Sequence, residues 1–125
     1  MGRVFFKRVS KPKINRPEQD LQKACVKWFD LQYSQQKNRL YMNYNNSGSG
    51  QMGAINKSMG VRRGVADLTY LLPNGKACFI ELKIGSVKPS DYQKAFELMV
   101  TELGNDYHVA RDIYEFMGII NSYNQ

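Results

Sequence analysis

The apolar positions of this chain change period several times, and each change marks an element. Leu21, Cys25, Trp28 and Phe29 recur at helical spacing, with Gln32 on the same face. Pro17 suits the first turn of a helix, and Glu18 and Asp20 suit its positive end, so a helix is predicted from Pro17 to Gln36, with Trp28 in the core. Leu40-Tyr41-Met42-Asn43-Tyr44 then alternates as a strand does. Asn46-Ser47-Gly48-Ser49-Gly50 reads as a flexible loop, and Met52, Ile55 and Met59 predict a short helix closed by Gly60. A basic loop, Val61-Arg62-Arg63-Gly64, leads into the apolar run that Asp67 opens, and a second apolar run ends in Glu81-Leu82-Lys83. Ser90 with Gln93 forms a potential capping box before an apolar stripe of Phe96, Met99, Val100 and Leu103, which Gly104 ends. Tyr107-His108-Val109-Ala110 predicts a last strand, and Asp112 with Glu115 resembles a second capping box before Ile113, Phe116, Met117 and Ile120.

The turn between the two apolar runs decides where their charges point. Asn74-Gly75 alone suggests a two-residue turn, which would set Asp67 opposite Leu82 and send Asp67 and Glu81 to opposite faces. A three-residue loop, Pro73-Asn74-Gly75, fits better, with Pro at the first turn position and Gly in the left-handed position of a bulge. Leu72 then pairs with Lys76, and Asp67 lies opposite Glu81, with Cβ atoms about 5 Å apart. Lys83 shares the face of Glu81 by the period of two.

The predicted order, α-β-α-β-β-α-β-α, implies an α/β fold with a mixed central sheet flanked by helices. The length of 125 residues favours one domain, over 17–125, after a basic arm over 1–16 that carries Arg3, Lys7, Arg8, Lys11, Lys13 and Arg16 and no acid. The arm is either a solvated tail or a contact to a phosphate backbone, and Val4, Phe5 and Phe6 offer a short docking strand instead. The formal net charge of +7 favours polyanionic partners.

Several classes are disfavoured. No apolar run reaches the roughly 18 residues of a membrane span, so no membrane association is expected. The basic start lacks the apolar core of a secretory signal, and Phe6 stands where a myristoylation signal needs Ser or Thr. Cys25 and Cys78 read as buried free thiols in preference to a disulfide, which suits a cytoplasmic location, or the host cytoplasm for a viral chain. One histidine, His108, and two distant cysteines make a zinc site a poor expectation, and His108 reads as a packed or hydrogen-bonded residue. The 46–50 loop lacks the Gly-Lys-Ser/Thr end of a P-loop.

Charged groups at the ends of otherwise buried strands are costly unless they act. Two carboxylates and an ammonium brought together are what a metal-dependent phosphodiesterase uses. In this pattern the chain resembles the PD-(D/E)XK nuclease superfamily, and within it the virus-type replication-repair nuclease (VRR-NUC) family. Glu18 with Gln22 is similar to the family's Glu-x-x-x-Gln, and 46–50 to its Asn-Gly-rich loop. Gly60 to Leu68 resembles Gly-x-x-x-Gly-x-Pro-Asp-Leu, Glu81-Leu82-Lys83 the Glu-x-Lys strand, and Ser90-Asp91-Tyr92-Gln93 the Ser-x-x-Gln helix start. Ala66 stands where the family has Pro.

The resemblance implies a restriction-endonuclease-like core and Mg²⁺- or Mn²⁺-dependent cleavage of DNA, with one or two ions per site. It implies branched substrates such as four-way junctions and flaps, in replication, recombination or repair of a virus or mobile element, and a homodimer. Asp67, Glu81 and the Leu82 carbonyl are the expected metal ligands, with Glu18 adding a carboxylate or merely favouring its helix terminus. Lys83 is expected to position water or offset charge, and Gln93 either caps its helix or braces the site. Arg62, Arg63 and Lys88 either hold phosphates or are ordinary solvated charges; Ser47 and Gly48 either allow close backbone approach to DNA or simply bend. A binding module without catalysis and a sequence-specific restriction-type endonuclease are the alternatives.

Overall fold

The computed structural model of the chain describes residues 16–125. The basic arm therefore lies outside the described residues except for Arg16, and so does the segment Val4-Phe5-Phe6. The elements are α1 (Pro17–Gln32), β1 (Leu40–Met42), α2 (Gly50–Ser58), β2 (Leu68–Leu71), β3 (Ala77–Leu82), α3 (Asp91–Glu102), β4 (Asp106–Ala110) and α4 (Ile113–Ser122). They form the mixed sheet that the order implies: strands run β1-β2-β3-β4, with β1–β2 and β2–β3 antiparallel and β3–β4 parallel.

The three-residue loop sets the hairpin. The Leu72 N–H donates to the Lys76 carbonyl at 2.9 Å, Gly75 takes φ +85°, and Leu71 pairs with Ala77 and Leu68 with Ile80. One face of β3, through Cys78, Ile80 and Leu82, joins Cys25 and Phe29 of α1 and Phe116 and Ile120 of α4 in the main core. The other face carries Phe79 and Glu81 and lies under α3, where Phe96 packs edge-on against Phe79 at 5.2 Å and Tyr107 at 6.4 Å. The pleat thus sends one set of residues to an apolar core and the alternate set to the layer that holds the charges.

Three local expectations change. The first helix ends at Gln32, and a 3-10 segment, Ser34–Arg39, replaces its last turn. Tertiary hydrogen bonds favour the tighter winding: Gln36 donates to Asn124 at 2.9 Å and accepts from the Tyr70 hydroxyl, and Tyr33 donates to Asn121. The first strand stops at Met42; beyond it the Asn43 N–H still donates to the Asp67 carbonyl, and the side chains of Asn43 and Asn45 make further bonds to the facing segment. The apolar stripe of α3 is only half buried: Val100 is in the interior, whereas Met99 and Leu103 are exposed. Cys25 and Cys78 are buried free thiols, and His108 bonds the Tyr123 hydroxyl at 2.9 Å. No helix among the described residues is long and apolar enough to cross a membrane.

Candidate active site

One step beyond the Leu68–Ile80 pair, Asp67 stands across from Glu81. Asp67 leaves the regular ladder but keeps its place through its side chain. Its Oδ2 accepts from the Leu82 N–H at 2.8 Å, and its Oδ1 accepts from Asn45 Nδ2 at 3.3 Å. Asn43 holds the same segment: its N–H donates to the Asp67 carbonyl at 2.8 Å, and its side chain bridges the Ala66 carbonyl and the Thr69 hydroxyl at 3.0 Å each. Asn45 also reaches the Val65 carbonyl at 3.3 Å. Neither asparagine stood out in the sequence. The available signal is that Asn43 and Asn45 continue the period of two that begins in β1.

Glu81 is only 2% exposed and Lys83 7%. Lys83 Nζ lies 3.5 Å from Glu81 Oε2, and Gln93 Nε2 donates to the same oxygen at 2.8 Å. Gln93 also completes the capping box of α3, accepting from the Ser90 N–H at 2.9 Å while its own N–H donates to the Ser90 hydroxyl at 3.2 Å. Capping and bracing are therefore one arrangement: the box fixes the side chain that holds Glu81. Glu81 Oε1 is buried without a partner. Burial pushes the Glu81 carboxyl up to about 8; the Asp67 charge adds to the rise, and the charge and hydrogen bond of Lys83 oppose it. Glu18, exposed on the first turn of α1, acts on Glu81 only as a weaker like charge. Among the described residues no three His, Cys, Asp or Glu side chains are grouped tightly enough to enclose an ion by themselves.

The basic loop is pinned to the start of α3. Arg63 stacks over the Tyr92 ring at 4.1 Å, and Arg62 donates to the Lys57 carbonyl at 3.3 Å. Gly64, at φ +84°, makes this approach possible, since a Cβ there would come within 2.5 Å of the Tyr92 carbonyl oxygen. Gly64→Ala is expected to destabilise the protein by about 1–3 kcal/mol; chemical denaturation measures it, and a midpoint equal to the parent's contradicts the close approach. Lys88 is exposed between β3 and α3. The 46–50 loop is tied down: Asn56 donates to the Ser47 carbonyl at 2.8 Å, the Gly48 N–H to Asn46 at 3.0 Å, and Gly53 lets α2 pack on Gly48. Arg111 straps the segment after Lys83, donating to the Gly85 and Val87 carbonyls at 2.7 and 2.9 Å.

No family model matches the chain, and no curated protein matches it. A solved structure, described as a "VRR_NUC domain protein", superposes with a TM-score of 0.70 over 89% of this chain and 90% of its own, at 21% sequence identity. The fold is that of the VRR-NUC domain. At 21% identity the agreement lies in the order and packing of elements rather than in shared residues. Within this VRR-NUC fold, which is restriction-endonuclease-like, Asp67, Glu81, Lys83 and Gln93 meet at the end of the β2–β3 hairpin away from its turn. Glu18 lies on α1, Ser47 and Gly48 in the loop before α2, Arg62 and Arg63 between α2 and β2, and Lys88 between β3 and α3.

Proposed function

We propose that this chain is a VRR-NUC-type, Mg²⁺- or Mn²⁺-dependent DNA endonuclease. The single observation that carries the reading is Glu81: a buried carboxyl with one oxygen unpartnered, beside a second acid and a buried lysine. Keeping Glu81 dry beside half-buried Asp67 is costly for an apoprotein, and a divalent cation held by both carboxylates would offset that cost. The donor set fits a hard, oxygen-seeking ion: Asp67, Glu81 Oε1 and the Leu82 carbonyl, with water completing the coordination and Glu18 within electrostatic reach. When bound, such an ion polarises a phosphoryl oxygen and makes hydroxide from water at neutral pH.

The chain's own residues then have distinct parts. Asn45 and the Leu82 N–H orient Asp67. Gln93 holds Glu81 Oε2 and leaves Oε1 for the ion. Lys83 offsets negative charge that grows on the phosphorane-like oxygens and orients the attacking water. Arg62, Arg63 and Lys88, with the Ser47-Gly48 backbone, grip the phosphates on either side, and the arm over 1–16 extends that grip.

The preferred substrates are branched DNA, cut by a homodimer because a symmetric junction needs two incisions. A panel of single strands, duplexes, flaps and four-way junctions, each with Mg²⁺, Mn²⁺ or chelator, tests this. Cleavage is expected only with metal and strongest on branched DNA. Binding without cleavage under every condition removes the nuclease reading, and sedimentation as a strict monomer removes the paired-incision version.

A further inference from the structure

Among the described residues, Glu81 Oε1 and the Tyr107 hydroxyl are the buried side-chain atoms without a hydrogen-bond partner. They belong to the same layer. Tyr107 of β4 lies beside Phe79 in the parallel register, and Glu81 follows Phe79 by two residues, so all three share the α3 face. Phe96 of α3 packs on both Phe79 and Tyr107, and Gln93, one turn earlier, reaches Glu81. A phenol is neutral at ordinary pH and has one proton to donate. A lone buried donor and a lone buried acceptor are each costly, and one hydrogen bond relieves both.

We propose that Tyr107 is a positioning residue for Glu81: its hydroxyl hydrogen-bonds Oε1, directly or through one water, and fixes the carboxyl group whose Oε2 Gln93 and Lys83 hold. A carboxylate oxygen has lone pairs for both this bond and a cation. The consequence for metal binding rests on the nuclease reading; the contact itself does not.

Tyr107→Phe removes the hydroxyl and keeps the ring packing. Its Mn²⁺ affinity, measured by calorimetry, is expected to fall about 10- to 100-fold. Cleavage lost at limiting Mn²⁺ should return when Mn²⁺ is raised, which a general loss of structure would not allow. In chelator, the effect of Tyr107→Phe on the melting temperature should shrink once Glu81→Leu is present, because the acceptor has gone. A Tyr107→Phe protein that binds Mn²⁺ as the parent does overturns the inference and leaves the nuclease reading standing. A parent that takes up no Mn²⁺ overturns the nuclease reading, and the stability cycle then decides: additive effects overturn the Tyr107 contact, and coupled effects support it.

Discussion

Glu81→Gln is expected to cleave DNA about 1,000-fold more slowly than the parent in Mg²⁺ while still binding it. A metal ligand set that stabilises transition-state charge by several kcal/mol loses about tenfold in rate for each 1.4 kcal/mol forgone. The glutamine preserves shape and an acceptor for Gln93 but cannot supply the carboxylate that the proposed cation would need at the end of the hairpin. Lys83→Ala should cost about 100- to 1,000-fold, the usual consequence of deleting one group aimed at developing negative charge. Single-turnover cleavage of the best substrate from the panel measures both. Parent-like rates for Glu81→Gln place the chemistry elsewhere on the molecule.

The same substitution should make the metal-free protein more stable relative to the parent as pH rises. In the unfolded chain Glu81 gives up its proton near 4.5, whereas in the fold it keeps it up to about 8. Between those values the folded state holds the extra proton, so raising the pH favours unfolding. Below about 4.5 the glutamate is protonated in both states and the parent carries no penalty; through neutrality the penalty grows, and it levels off above pH 8. Each tenfold gain in proton affinity on folding corresponds to about 1.4 kcal/mol, so the full difference is on the order of a few kcal/mol. Melting curves of parent and Glu81→Gln in chelator, from pH 5 to 8.5, should therefore diverge as pH increases. If the proposed site takes up Mn²⁺, the added ion should close the gap by stabilising the folded parent. A constant difference across that range would mean that Glu81 is not desolvated as its burial requires. Together the two results would describe a site that trades stability for the capacity to take up a cation.

How much is legible in the sequence depends on how local the cause is. Pro73, Asn74 and Gly75 carry the geometry of one turn, and the register it sets, continued one step past Leu68–Ile80, brings Asp67 across from Glu81. The capping box is visible because Ser90 and Gln93 lie three residues apart. The end of α1 is not visible, because it is set by Asn121, Asn124 and Tyr70, remote in sequence. Asn43 and Asn45 look like ordinary strand-end polar residues, since their partners at Val65 to Asp67 become neighbours only when the sheet forms.

By itself, then, the sequence determined the order of elements, the hairpin register and which acids and lysine share a face, since periodicity and turn chemistry act between near neighbours. Only the tertiary structure decided that Glu81 is dry, that Gln93 caps and braces at once, and that Tyr107 faces the same layer. Desolvation and side-chain reach are properties of surfaces brought together from distant parts of the chain, and no local pattern records them.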